Sequence, residues 1–224
     1  MSPVNSGITF STDATEGNSR RVSVGIDIDG PFTQPILKLH FPRWVPGSYF
    51  LREPIQHMTE FVAIDDAGVE LNSFRYEVDA MKIKVPQNTK SISITYKLLA
   101  TELSCRSNHL DSSHIHIMPP FTWFLPTSGI NLERMNQKHS ISLHTPSSWS
   151  AATQYKLENS TSCKGVLTGN DGTTYLFSAP NRDELLDGII EANENENICW
   201  KVDGRNHILK LWDSGGHPID IEML

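Results

Sequence analysis

Hydrophobic and polar residues alternate along much of this chain, with apolar side chains at every second position. The alternation is clearest in residues 22–28 and 92–98, where it places the apolar side chains on one face of an extended strand. Further short apolar runs are separated by clusters of Gly, Pro, Asn and Asp: 36–41, 57–64, 74–78, 81–85, 114–118, 140–145, 174–178 and 206–212. The pattern predicts a mainly β fold, an antiparallel β-sandwich-like domain.

Helical signals are scarce, and the best of them is a short segment at residues 181–187. Asn181 can cap the first turn, Glu184 lies at the third helical position, and Gly188 can end the helix. We therefore expect one short helix there. Prolines crowd residues 41–54, which we interpret as an ordered loop at the end of the sheet.

The composition fits one β-rich domain over residues 1–224. The chain is 38% hydrophobic, enough to bury a core, and it contains no repeat and no flexible linker. No apolar run approaches the ~20 residues of a membrane helix. The N-terminus lacks the charged start and apolar stretch of a signal peptide. Three widely spaced cysteines do not form a disulfide framework, so we expect a cytoplasmic location.

The net charge of −7 argues against nucleic acid or an anionic membrane as a partner, because neither is attracted to an acidic surface. The acidic excess is concentrated in residues 181–224. We interpret it as a solvated loop around Glu191, Glu194 and Glu196.

Several common catalytic motifs are absent from the sequence, including G-x-S-x-G, the G-x-x-x-x-G-K-[ST] phosphate loop and the H-E-x-x-H zinc motif. Their absence weighs against catalysis by this chain alone, and no catalytic residue is predicted. The strongest metal candidate is His114-Ile115-His116, because residues two apart on a strand share a face, with Asp111 or His109 as a third ligand. A solvent-facing strand without metal is the favoured interpretation, so we predict no cofactor in this chain.

Two proline-flanked aromatic groups remain to be explained. Trp44 and Tyr49 flank Pro46-Gly47-Ser48, while Phe121, Trp123 and Phe124 follow two prolines. Rigid aromatics of this kind either line a ligand groove or anchor a loop to the core. A groove between Trp44 and Trp123 would indicate a stand-alone peptide- or glycan-binding module.

The segment F-P-R-W-V-P-G-S-Y-F-L-R-E at residues 41–53 resembles the P-x-W-x-P-G-S-Y-x-x-R-D element of the glycyl aminopeptidase family, metallopeptidase family sixty-one. That element belongs to the family's N-terminal domain. The resemblance continues in order through residues 65–71, 91–100, 175–187 and 200–212. Two departures are that Glu53 replaces the usual aspartate and Gly188-Ile189 replaces the usual Ser-Pro.

The resemblance implies an accessory N-terminal β-domain that packs on a thermolysin-like catalytic domain in the same polypeptide and frames the cleft for a peptide substrate. The catalytic domain, with its H-E-x-x-H motif and zinc, would lie outside this chain, which is then inactive alone. Tyr49 and Arg52 are the candidates for the cleft, but the favoured interpretation of each is structural: Tyr49 as an aromatic anchor and Arg52 in a surface ion pair with Glu53.

Two further expectations concern how these aromatic segments pack. Phe121, Trp123 and Phe124 are the candidates for the interface with the catalytic domain. Within the 41–54 loop, we expect Trp44 to pack inward and Gly47 to form a tight turn.

Overall fold

A computed structural model describes residues 5–45 and 48–213, and these contain seventeen strands and one α-helix. The strands are β1 Asn5–Asp13, β2 Arg21–Asp29, β3 Ile36–His40, β4 Met58–Asp65, β5 Ser73–Glu77, β6 Ala80–Lys84, β7 Ser91–Leu99, β8 His109–Leu110, β9 His114–Ile117, β10 Leu125–Ser128, β11 Lys138–Thr145, β12 Ser150–Thr153, β13 Lys156–Lys164, β14 Asp171–Ala179, β15 Ile190–Asn193, β16 Ile198–Val202 and β17 Arg205–Leu209. The helix is α1 Arg182–Asp187. The prediction of a mainly β fold is confirmed.

The largest sheet has seven strands in the order β13-β14-β11-β1-β2-β7-β4. Its pairings are antiparallel except for that of β1 with β11, which is parallel. The alternation predicted for β7 is exact in the structure, because Ile92, Ile94, Tyr96 and Leu98 are buried and their neighbours are not. The sheet therefore has one apolar inner face, as the sequence pattern requires.

Two four-stranded sheets complete the fold, with the orders β10-β3-β6-β5 and β12-β15-β9-β8, and β16 pairs with β17 in a separate hairpin. The apolar faces of these sheets and of the large sheet form one core cluster, in which Ile26, Leu39, Ile83 and Ile115 are fully buried. Burial of side chains from several strands in one cluster is the main source of stability in such a layered fold.

The short helix is confirmed together with its cap, since the Asn181 side chain accepts a hydrogen bond from the Glu184 backbone N–H at 2.9 Å. The glycine that departs from the family pattern has a packing role. A Cβ atom at position 188 would lie only 2.0 Å from the nearest carbon of the Tyr155 ring, so the ring leaves no room for a side chain there. The Tyr155 hydroxyl also donates a hydrogen bond to the Gly188 carbonyl at 2.9 Å. A serine at position 188 would force this buried ring to move.

Some strands were not predicted from the sequence. The clearest case is β13, where all nine residues are exposed, so no apolar alternation marks it. It forms because β14 offers an open edge to pair with. Among the described residues, no helix has the length and apolar character needed to cross a membrane.

Candidate functional site

The segment with the strongest family resemblance forms a closed loop at the end of β3, and we call residues 41–53 the aromatic loop. Phe41 anchors its start by stacking on Phe124, with ring centroids 3.8 Å apart. The two stems meet where the Arg52 N–H donates to the Arg43 carbonyl at 2.9 Å, and Arg43 pairs with Glu53 at 3.2 Å. The turn expected at Gly47 lies outside the described residues.

Large apolar side chains between the stems point into solvent. Trp44 is 54% exposed, Tyr49 96%, Phe50 69% and Leu51 67%. The expectation that Trp44 packs inward is therefore wrong. The physical reason is that Phe41, three residues earlier, already fills the place next to Phe124, and the loop then leaves the core.

The Arg52 side chain of the same loop is directed towards Glu102 and Phe121. Its guanidinium is 3.5 Å from the Glu102 carboxylate and 5.9 Å from the centre of the Phe121 ring, while its buried Nε has no hydrogen-bond partner. The expected ion pair of Arg52 with Glu53 is wrong, because Glu53 pairs with Arg43.

Arg52 also lines a cavity of about 350 Å³ beside the loop, together with Glu102, Arg106, Asn108 and Phe121. Tyr49 is not among its lining residues. The structure thus separates the two cleft candidates. Tyr49 is almost fully exposed to solvent, and Arg52 lies at the cavity. Neither Glu102 nor Arg106 belongs to a recognisable motif, so sequence reasoning missed them.

The second aromatic segment is in the core. Phe121 is 4% exposed, and Trp123 and Phe124 are fully buried. The Trp123 Nε1–H donates to the Thr12 hydroxyl at 3.3 Å, and the Tyr96 hydroxyl donates to the Thr122 carbonyl at 2.6 Å. The expectation that these three aromatics form the interface with a catalytic domain is wrong, and so is a groove between Trp44 and Trp123, because side chains buried to this extent leave almost no surface for a partner.

The histidines of β9 are also buried rather than solvent-facing. In the sheet register His116 lies opposite both His109 and Glu191, and His114 shares their face two residues away. We call His109, His114, His116 and Glu191 the histidine face. Trp212 covers it, stacking on His114 with ring centroids 4.2 Å apart. The hydrophobic pattern of β9 cannot show that its histidines are covered, because Trp212 lies almost a hundred positions further along the chain.

Glu191 is the centre of this face and not part of a solvated loop. His114 Nε2 donates to one of its oxygens at 2.6 Å, and His116 Nδ1 donates to the other at 2.5 Å. Burial raises the pKa of Glu191, but these two hydrogen bonds outweigh burial and hold the pKa at about 2. Burial lowers the pKa of His109, with the nearby Asp111 charge opposing the change.

A different group of residues brings three possible metal ligands together. His40, Glu77 and Asp79 each contribute one possible ligand atom, and these three atoms lie within 4.8 Å of one another. Among the described residues, this is the one group of three or more potential ligands that lie so close together. The histidine face does not meet this criterion. Sequence reasoning missed His40, Glu77 and Asp79 because their spacing matches no metal motif and only the pairing of β3, β5 and β6 joins them.

Comparison with known proteins identifies the same family as the sequence motif. The family model described as "Peptidase M61 N-terminal domain" matches residues 9–193. No curated protein matches the chain. Among solved structures, an aminopeptidase N family protein from Idiomarina loihiensis superposes with a TM-score of 0.74 at 19% identity, covering 90% of this chain and 32% of its own.

An M1 zinc metallopeptidase from Deinococcus radiodurans superposes less closely. Its TM-score is 0.51 at 11% identity, and the match covers 96% of this chain and 49% of that protein. At these identities the superpositions establish the fold. The chain spans about a third of the first protein and about half of the second.

Proposed function

Because the chain belongs to the family of peptidase M61 N-terminal domains, we propose that it is the accessory β-domain of a zinc metallopeptidase. In this proposal it packs on a catalytic domain of the same polypeptide and helps to frame the cleft that holds a peptide substrate. The zinc and the catalytic groups belong to that second domain, so residues 1–224 alone do not hydrolyse peptides. The longer chains of the structurally similar proteins support this arrangement.

The exposure of the aromatic loop is the observation that carries the proposal. Four large apolar or aromatic side chains, from Trp44 to Leu51, stand in solvent within one short segment. Several exposed apolar side chains within one short segment favour binding to another protein surface, because water otherwise has to hydrate them. The catalytic domain is the occupant we assign, since this segment carries the family motif.

The cavity beside the loop explains why this surface would border a cleft. Arg52 brings a positive charge to the cavity and has an Nε that lacks a hydrogen-bond partner. The Tyr49 side chain is almost fully exposed in the same loop. We therefore propose that Arg52 contacts polar groups at the edge of the cleft, while Tyr49 contacts the catalytic domain or the substrate directly.

The test compares residues 1–224 with the longer polypeptide obtained by reading the gene past the Leu224 codon. Hydrogen–deuterium exchange of residues 48–53 should be slower in the longer polypeptide, because the second domain covers the loop. Equal exchange in the two proteins would contradict the proposal. A reading frame that ends at Leu224 would instead favour the stand-alone module.

A pair of matched variants then tests the contact itself. Phe50→Ser combined with Leu51→Ser should lower the stability of the longer polypeptide and leave that of residues 1–224 unchanged. Val166→Ser is the control, because Val166 is 97% exposed on the turn after β13, away from the aromatic loop. Equal effects of the two variants on the longer polypeptide would exclude the loop as the interface.

A further inference from the structure

His40, Glu77 and Asp79 come together at one end of the sheet that contains β3, β5 and β6. His40 ends β3, Glu77 ends β5, and both residues pair with Ala80, the first residue of β6. Asp79 lies in the turn that joins β5 to β6. Three ligand atoms, one from each of these side chains, lie within 4.8 Å of one another. The strand pairing therefore holds them together, and the grouping does not depend on a flexible loop.

Neither carboxylate of this group has a salt-bridge partner among the described residues. Among the described residues, neither Glu77 nor Asp79 forms an ion pair within 4.0 Å. All the ion pairs of the described chain involve other carboxylates. The nearby Arg75 donates to the backbone carbonyls of Glu77 and Val78 instead. Two carboxylates this close repel each other unless a cation lies between them.

Two lysines lie over the neighbouring Tyr76 ring, with the Lys82 ammonium 4.1 Å and the Lys38 ammonium 6.0 Å from its centre, and neither is within ion-pair distance of Glu77 or Asp79.

The imidazole of His40 is oriented by a contact with Tyr76. Its Nε2 is 2.5 Å from the Tyr76 hydroxyl, and the two rings meet edge to face with centroids 5.7 Å apart. This hydrogen bond occupies Nε2 and leaves Nδ1 for another partner. Metal-binding histidines commonly have their second ring nitrogen fixed by a hydrogen bond in this way.

We propose that His40, Glu77 and Asp79 bind a zinc ion. One imidazole and two carboxylates are ligands that zinc accepts, and three protein ligands leave one position for water. The site has a structural consequence, because His40 directly precedes the aromatic loop and the Phe41 N–H donates to the Asp79 carbonyl at 2.9 Å. The ion fastens the first stem of the loop to the β5–β6 turn.

The test is a calorimetric titration of residues 1–224 with zinc chloride. Cys105, Cys163 and Cys199 are free and exposed, and thiolates are good zinc ligands, so all three are first replaced by serine to keep them from competing for the ion. We expect one equivalent of zinc to bind. Glu77→Gln combined with Asp79→Asn removes both carboxylate ligands while keeping the His40–Tyr76 hydrogen bond, and it should weaken binding at least tenfold.

The matched control is Asp203→Asn combined with Glu196→Gln, which removes the same charge from two exposed positions elsewhere. Zinc affinity should be unchanged in this control. An equal loss of zinc affinity in both double variants would show that zinc binding depends only on the net charge of the protein, and this result would contradict the proposal. Binding that persists in the Glu77–Asp79 variant but disappears in His116→Gln would assign the zinc to the histidine face and would also contradict it.

Thermal unfolding gives a second readout on the same variants. Zinc at a hundred times its dissociation constant should raise the Tm of the unsubstituted chain by about 5–10 °C, because it binds the folded state only. The Glu77–Asp79 variant should fold and show no such rise. Calcium in place of zinc should give little effect, and an equal or larger effect of calcium would exclude the imidazole as a ligand.

Discussion

Two segments of this chain are alike in sequence and opposite in environment. The aromatic loop contains Trp44, Tyr49 and Phe50 among prolines, and the segment before β10 contains Phe121, Trp123 and Phe124 after two prolines. The first group is more than half exposed and the second is buried. Aromatic composition and rigid prolines therefore do not determine whether a segment becomes core or surface.

The difference comes from what each segment finds next to it. The Phe121–Phe124 segment begins in a short 3-10 turn, Pro119–Phe121, and its backbone polar groups are satisfied by the Asn108 and Tyr96 side chains from neighbouring elements. It can therefore enter the core without leaving buried groups unpaired. The aromatic loop is closed by bonds between its own two stems, so its aromatics are left for another surface.

The largest expected effect separates the two tryptophans. Trp123→Ala should lower the free energy of unfolding by about 3–5 kcal/mol, because it removes a fully buried ring. Trp44→Ala should lower it by under about 1 kcal/mol, since more than half of that ring is already in water. Urea unfolding of the two variants measures the difference, and similar losses would remove the distinction drawn between the segments.

Asn108→Ala should have the next largest effect. The Asn108 side chain donates to the Phe121 carbonyl at 3.0 Å and accepts from the Met118 N–H and the Thr122 hydroxyl, both at 2.8 Å. Removing it leaves buried polar groups without partners and should cost about 2–3 kcal/mol in urea unfolding. The exposed Asn136→Ala serves as a control, with an expected change within about 0.5 kcal/mol. A small effect at Asn108 would mean that packing alone holds the buried segment.

Acidification should weaken the fold through the histidine face and not through the aromatic loop. The folded-state pKa of Glu191 is about 2 against an ordinary 4.5, so its contribution is present above pH 4.5 and is lost as the pH falls towards 2. The pKa of His109 is also lowered, so protonation favours the unfolded chain and stability falls as the pH drops through its ordinary value of 6.5.

Urea midpoints measured from pH 7 to pH 3 check this prediction. The difference in stability between the unsubstituted chain and Glu191→Gln should shrink below pH 4.5. His109→Gln should flatten the decline between pH 7 and 5. A stability difference for Glu191→Gln that is constant with pH would show that its carboxylate charge does not stabilise the fold.

The smallest effect is expected for Arg52→Ala in residues 1–224. Arg52 pairs with Glu102 at 3.5 Å, but the Glu102 side chain is 59% exposed, and such pairs contribute under about 1 kcal/mol. In the longer polypeptide the same change should impair peptidase activity far more than folding. Chemical unfolding and peptide hydrolysis, measured side by side, test this contrast. Unfolding of the isolated chain by Arg52→Ala would make the loop a structural element instead of a cleft wall.

The sequence by itself determined the class of fold and most of its strands. The apolar positions of β2, the alternating burial in β7, the capped helix α1 and the family motif at residues 41–53 were all visible in it, because each depends on neighbours within about ten positions along the chain. The edge strand β13 was not visible, since its residues are exposed and it forms only because β14 is there.

Only the tertiary structure decided which side chains are available for function. It buried Trp123 against Thr12, placed Arg52 beside Glu102 and Phe121, covered the histidines of β9 with Trp212, and joined His40 to Glu77 and Asp79. Each of these contacts joins residues more than thirty positions apart. Local periodicity reports which face of a strand is apolar, but the identity of the group that packs on that face is set by the pairing of distant strands.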